Sequence, residues 1–324
     1  MKGKGKALGA LLACVAVAAL GTSAASARQD SSSQQLQKLT LAYAPITDYA
    51  PIFVGLKRGF FKKEGIDLKT TNTNITPSSL VAASLSGQVD IATNSATATM
   101  TAISQGIPCK LLAAATTTPT KGNTEILVRR DSNIRRFRDL EGKVVGTVGL
   151  QGFFHLLTLN AVEKDGGDPS KVTAVPGAQQ DSLNTLLAGR VDAVVLQDPF
   201  NTLAKLNNGV RSIGNPLGLF DPKTTAGVMI ACGDIFQKKP DLLRRFLRAW
   251  QTSVDYSQKN PKFTKTIIPK YSGLTSQVTN LITIPTFTTA LEPRVIGKFM
   301  KLMIKYGWVK GVAPSYSQLV WDRK

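Results

Sequence analysis

Few residues in this 324-residue chain are of types that make or break covalent bonds. His155 is the single histidine, and the only cysteines are Cys14, Cys109 and Cys232. Nucleophilic hydrolysis needs a serine or cysteine within reach of a base that a third group orients, and a serine of this kind often sits on a GxSxG elbow. No GxSxG occurs, which leaves His155 as the sole histidine base. Metal chemistry needs several ligands at recurring spacing, and neither CxxC nor a zinc-finger spacing is present. The residue set therefore argues against catalysis, a metal site or a cofactor, and for reversible binding.

Binding chemistry is better supplied. Polar and aromatic residues gather just after apolar, β-prone runs, where a chain leaves a strand and enters a helix. Thr47, Asp48 and Tyr49 follow the run at 39–44, and Asn94 and Ser95 close the run at 90–94. Gln151, Gly152, Phe153 and Phe154 follow 143–148, while Gln197, Asp198 and Phe200 follow 191–197. A helix start presents unpaired N–H groups and the positive end of the dipole, so Ser95 and Gly152 are placed to hold an anion from two sides. For each polar residue a second reading stands beside ligand contact, namely a cap that satisfies its own helix. Phe153, Phe154, Tyr49 and Phe200 offer stacking surface for a planar solute, or else the phenylalanines pack inward along their helix. His155 is either a donor to an anionic solute or a structural residue of that helix.

The elements that must position these loops alternate. Strand patterns at 39–44, 66–70, 90–94 and 110–115 are interleaved with helical patterns at 50–63, 77–88 and 96–105. After a polar stretch at 116–121 and a strand at 125–128 the alternation restarts. Strands at 143–148, 171–175, 191–197 and 210–214 enclose helices at 152–164, 179–188 and 199–207. Residues 226–232 read as a strand returning to the first set, and the remainder is mostly helical, with helices from Pro240, at 276–284 and at 293–305. From Pro240 onward, Leu242, Leu243, Phe246, Leu247 and Trp250 recur at helical spacing opposite Arg244, Arg245 and Arg248, which marks a packing face.

This is an α/β pattern of two lobes on a double hinge, each lobe a mainly parallel sheet with helices on both faces. The expected division is 38–120 with 225–324 for the first lobe and 121–224 for the second. Ligands of open α/β sheets sit at the carboxyl ends of the strands, where the candidate loops lie.

Residues 1–27 have the three parts of a secretory signal: Lys2, Lys4 and Lys6, an apolar stretch at 7–20, and Ala25-Ser26-Ala27 as a cleavage site. That stretch is too short to span a bilayer, and no later one is longer. A lipid anchor at Cys14 is the lesser alternative, because the apolar run continues past it. Residues 28–37 read as a polar leader. Cleavage would take the net charge of +19 to +16 by removing three lysines. The basic residues are scattered pairs without interleaved aromatics, so they read as solvated faces and not as a nucleic-acid surface.

Several segments resemble one family. The helix and turn Ala50 to Leu68, APIFVGLKRGFFKKEGIDL, is quite specific to it. Ser86 to Ala92 (SGQVDIA), Phe137 to Gly146 (FRDLEGKVVG) and Ala188 to Val194 (AGRVDAV) follow in the same order. Together, from about Leu39 to Trp308, they resemble the solute-binding proteins of nitrate, sulfonate, taurine and thiamine-precursor ABC importers, the group related to SsuA, TauA and NMT1/THI5 proteins. The resemblance implies a type II periplasmic binding protein of the Venus-flytrap kind. It would be a monomer that passes a small anionic or planar solute to a membrane permease with its cytoplasmic ATPase.

The resemblance also implies that the return strand is inserted antiparallel beside the last strand of the first set. Cys109 and Cys232 would then lie close, and a disulfide between them is one possibility. A related eukaryotic pyrimidine synthase of the same fold uses a histidine with a cysteine-rich motif that this chain lacks. Sulfonate- and nitrate-type relatives often carry small hydroxyl residues where this chain has Leu150-Gln151-Gly152-Phe153-Phe154. Their absence weakens alkyl sulfonate and nitrate as ligands. A ligand-sensing module feeding a membrane receptor is the remaining alternative.

Overall fold

Strand pairing divides the chain between two five-stranded sheets in a computed structural model that describes residues 35–73, 76–117, 123–221, 223–225 and 227–322. The expected signal at 1–27 and most of the leader lie outside the described residues. The first set runs β1 (Gln37–Tyr43), α1 (Ala50–Arg58), α2 (Phe60–Lys63), β2 (Ile66–Asn72), α3 (Pro77–Leu85), β3 (Ile91–Ser95), α4 (Ala96–Ser104) and β4 (Cys109–Ala114). After the short β5 (Thr116–Thr117) come β6 (Thr124–Arg129), β7 (Val144–Thr147), α5 (Phe153–Lys164) and β8 (Thr173–Pro176). α6 (Gln179–Leu187), β9 (Ala193–Gln197), α7 (Phe200–Lys205) and β10 (Val210–Gly214) complete the second set. The chain returns through β11 (Gly227–Cys232), α8 (Ile235–Lys238), α9 (Pro240–Lys259), α10 (Pro261–Ser272), α11 (Ser276–Leu281), β12 (Thr286–Phe287), α12 (Pro293–Lys305) and α13 (Tyr316–Leu319).

The two sheets share one plan. The first is ordered β2-β1-β3-β11-β4, and the second, read from its far edge, β8-β7-β9-β6-β10. In each, four strands run one way and the fourth in the row is reversed: β11 against β3 and β4, β6 against β9 and β10. Each reversed strand is the first of its sheet after the chain crosses from the other, β11 lying between the earlier strands β3 and β4 and β6 between the later strands β9 and β10. This insertion puts Cys232 opposite Cys109, where the two are joined by a disulfide with Cα atoms 3.9 Å apart. Beside the crossing, β5 and β12 pair as a small antiparallel ribbon.

Sequence explains the main boundaries. The single helix expected over 50–63 is two, because Gly59 adopts φ +73 and caps α1 through its N–H on the Gly55 and Leu56 carbonyls. α1 lies close on α9: a Cβ on Gly55 would stand 2.1 Å from the Ser253 hydroxyl oxygen. α9 buries Leu243, Phe246 and Trp250 as its spacing requires, and the Trp250 indole donates to the Ala114 carbonyl at 3.0 Å. α10, which contains Pro269, was merged in sequence with its helical surroundings. α12 reaches across to the second set, with Phe299 edge-on to Phe153 and the Tyr306 hydroxyl donating to Glu163 at 2.8 Å. Among the described residues no helix is long and apolar enough to cross a membrane.

Candidate functional site

A cavity of about 100 Å³ lies where the two sheets face each other. Its wall is built from the ends of β1 (Asp48, Tyr49), β3 (Asn94, Ser95), β7 (Val148, Phe153, Phe154) and β9 (Gln197), from the starts of α3 (Pro77, Leu80) and α6 (Gln179), and from Gly227. Gly227 opens the reversed strand β11, whose first residue lies at the end where its antiparallel neighbours β3 and β4 finish. Every contributor thus obeys the rule that ligands of α/β sheets sit off the carboxyl ends of the strands.

Asp48 is the chemical centre of this wall. It is fully buried, its Oδ1 accepts from Gln197 Nε2 at 2.6 Å, and its Oδ2 accepts from the Thr116 hydroxyl at 3.0 Å. Burial raises its pKa to about 6, against the lowering effect of those two hydrogen bonds, and the charge of nearby Asp198 adds to the rise. Beside it the Tyr49 hydroxyl donates to the Asn94 carbonyl at 3.0 Å, and burial holds the phenol well above its ordinary pKa. Asn94 Nδ2 donates to the Pro77 carbonyl at 3.0 Å, and Ser95 caps α4 by accepting from the Ala98 N–H at 3.2 Å. Among the described residues no lysine, arginine or histidine lines the cavity.

Of the residues singled out from sequence, Asp48, Tyr49, Asn94, Ser95, Phe153, Phe154 and Gln197 stand on this wall. Phe153 and Phe154 serve both readings at once, since each borders the cavity while packing into the core. Five others are placed elsewhere. Thr47 is buried beneath the wall and donates to the Asp198 carbonyl at 3.4 Å. Asp198 spends its carboxylate on the Thr202 N–H and hydroxyl and on the Thr283 N–H, at 2.7 to 3.1 Å, so its role is to anchor α7 and the segment before β12. Phe200 packs against the small core behind the second sheet. Gln151, at φ +55, borders a separate surface groove, and Gly152 caps α5 without touching the cavity. The expected grip of an anion between Ser95 and Gly152 is therefore not assembled.

His155 also points away from the wall. Its Nδ1 accepts from the Gln151 N–H at 3.1 Å, its ring lies 4.9 Å from Trp308, and burial lowers its pKa to about 4. Gln179 and Gly227 escaped the sequence reading. Gln179 occupies the same kind of position, a helix start after a strand, and that signal was available; Gly227 becomes visible only once β11 is placed in the first sheet.

The profile of the NMT1/THI5-like family matches residues 46–263. The chain belongs to that family. Among curated proteins it is similar to the 4-amino-5-hydroxymethyl-2-methylpyrimidine phosphate synthases of Saccharomyces cerevisiae, 27% identical over 68% of this chain and 66% of theirs. The Schizosaccharomyces pombe enzyme of that name is 26% identical over 66% of this chain and 63% of its own. The chain thus spans just under two thirds of the length of these relatives.

Among solved structures, a ligand-binding component of an ABC-type import system from Staphylococcus aureus superposes with a TM-score of 0.75 at 15% identity, covering 88% of this chain and 96% of that one. The alkanesulfonate-binding protein SsuA of Xanthomonas axonopodis, bound to MOPS, gives 0.74 at 17% identity over 88% and 98%. The nitrate-binding protein NrtA of Synechocystis gives 0.71 at 13% over 88% and 84%. The fold is that of the periplasmic binding proteins.

Proposed function

We propose that this chain is the extracytoplasmic solute-binding component of an ABC importer, exported by residues 1–27 and working as a monomer. Residues 38–120 with 225–324 form one lobe and 121–224 the other, and the solute is a small planar organic molecule. The observation that carries the reading is the cavity between facing strand ends, bridged by hydrogen bonds from Gln197 to Asp48 and from Thr47 to Asp198. These bonds join the end of β1 to the end of β9, so both must break for the cavity to open to solvent. Solute binds one lobe, the other completes the contacts, and a permease with its ATPase reads the closed form. Tyr49, Phe153 and Phe154 supply apolar and stacking surface. Thermal-shift screening of the mature chain against pyrimidines, aromatic carboxylates, sulfonates and nitrate tests it, since a ligand that binds only the native state raises its stability. Turnover of any of these without stabilisation overturns the reading.

Similarity to the pyrimidine phosphate synthases favours a second reading, an enzyme of the same fold. Against it stand the chemistry-bearing residues. Cys109 and Cys232 are tied in a disulfide, and His155 is packed against Trp308 outside the cavity. Assaying the purified chain for pyrimidine phosphate formation decides between the two.

A further inference from the structure

The basic residues are scattered along the sequence, but the fold gathers several of them at one pole of the second sheet. β6 begins at Thr124, paired with Gln197 on the cavity wall, and ends at Arg129, paired with Val210 at the start of β10. Five steps of strand at about 3.4 Å each put that pole roughly 17 Å from the wall, off the opposite end of the sheet. Arg129, Arg130 and the turn that follows stand there, with Arg211 of β10 beside them.

These arginines are held in place without being neutralised. Arg211 Nη2 donates to the Ser132 and Ile134 carbonyls at 2.8 and 2.6 Å, which pins the turn to β10, and Arg130 donates to the Asn208 and Val210 carbonyls. Arg135, exposed, follows the pinned Ile134. Burial, and then the charges of Arg135 and Arg130, push the Arg211 guanidinium below its ordinary pKa, so both lie within its field. Among the described residues no carboxylate forms an ion pair with Arg130, Arg135 or Arg211. The nearby carboxylates are engaged: Asp131 with Arg129 at 3.6 Å, Asp139 with the Arg135 and Arg136 N–H groups at 2.8 and 3.1 Å, and Asp192 with the Val144 N–H at 2.8 Å. Arg129 and Lys143 border a hollow beside the same turn and add further positive charge.

We propose that this pole is a docking surface for an anionic phospholipid membrane, with Arg130, Arg135 and Arg211 facing the phosphate headgroups and the cavity turned away from the bilayer. Guanidiniums braced on backbone carbonyls at an exposed pole suit a broad array of phosphates better than one enclosed anion. Each basic residue near an anionic bilayer adds an attraction that fades within a Debye length, so the attachment is reversible and weakened by salt. Nucleic acid fits less well, because a single strand needs aromatic platforms and the aromatic beside this turn, Phe137, packs against the core. Such a surface concentrates the chain at a membrane while leaving the cavity free to load, and it does not depend on which solute the cavity takes.

Co-sedimentation of the mature chain with vesicles tests the proposal, using mixed phosphatidylglycerol and phosphatidylcholine against phosphatidylcholine alone. Binding is expected only to the anionic vesicles and should weaken as salt is raised. Arg130→Gln and Arg135→Gln should each lower the partition about fivefold, and the double variant about 25-fold, the scale of one basic residue at an anionic surface. Lys62→Gln with Lys63→Gln, both exposed on α2, removes the same charge from the first set and should change the partition by less than about twofold. Circular dichroism checks that every variant is folded. No binding to the anionic vesicles, or an equal loss in the Lys62 and Lys63 double variant, overturns the proposal. Displacement by inorganic phosphate beyond that by chloride at equal ionic strength would assign the pole to a small anion and overturn it too. Binding of a short DNA duplex without binding of vesicles would do the same.

Discussion

Asp48 and His155 make opposite demands as the ligand-free protein is acidified. Burial raises the Asp48 carboxyl from 3.8 to about 6, so the folded chain takes this proton before the unfolded chain does. The resulting stabilisation is fully present below 3.8 and is lost as pH rises through 6. Burial lowers the His155 imidazole from 6.5 to about 4, so here the unfolded chain takes the proton first. The stability that neutral His155 contributes is present above 6.5 and is lost as pH falls through 4.

Either displacement is worth roughly 3 kcal/mol over its whole range, and about 2 kcal/mol of that falls between pH 7 and 4.5. The two effects are of opposite sign and nearly cancel in the wild-type chain. Asp48→Asn leaves the histidine unopposed, and its unfolding free energy should fall by about 2 kcal/mol more than the wild type's between pH 7 and 4.5. His155→Asn, whose amide oxygen can take the Gln151 N–H, leaves the aspartate unopposed and should gain about 2 kcal/mol relative to wild type over the same interval. Urea unfolding followed by circular dichroism at several pH values measures both. Comparing slopes cancels the fixed cost of each substitution, such as the lost contact with Trp308. Carboxylates held below their ordinary range, including Glu163 and Asp234, titrate alike in all three chains. Parallel pH profiles for the wild type and both variants would refute the electrostatic account of these two residues.

Three further outcomes follow from the disulfide and from the packing of α1 on α9. Replacing Cys109 and Cys232 together by serine frees a loop closed over 123 residues of sequence and should cost about 3 kcal/mol in urea unfolding, with the same strand pairing retained. Gly55→Ala forces a Cβ into the Ser253 hydroxyl and the Phe61 ring where α1 meets α9. It should lower stability by about 1–3 kcal/mol, read as a drop in Tm. Ser253→Ala, which removes the nearest clashing atom, should recover part of that loss in the double variant; no recovery would show that the Phe61 contact at 2.7 Å dominates.

Periodicity carried much of the fold because burial is simple here. Strands such as β4 and β9 are apolar on both faces, and α9 keeps one apolar stripe against the first sheet. What periodicity missed were local backbone events. Gly59 splits a continuous apolar helix by adopting φ +73, and Pro261 restarts a helix directly after α9 in a stretch that reads as uniformly helical.

The site was legible as a class of position. Loops after strands held Asp48, Tyr49, Asn94, Ser95 and Gln197, because topology alone brings strand ends together. Sequence could not tell which neighbours in such a loop turn inward. Asp48 and Asp198 are equally polar and equally placed in their loops, but only the first borders the cavity, while the second satisfies α7 and Thr283. Gly227 was invisible for another reason, since its contribution is an absent side chain on a strand whose neighbours come from distant sequence. The acidic character of the wall was equally hidden, because the chain is basic overall while no lysine or arginine among the described residues lines the cavity.

The central claim is that two lobes close around a solute. Small-angle scattering of the mature chain, with and without a saturating concentration of a solute that raises its Tm, tests this directly. The account predicts a smaller radius of gyration on binding, from opening in the free protein to the closed arrangement held by the Asp48–Gln197 and Thr47–Asp198 contacts. An unchanged radius of gyration at saturation would contradict it.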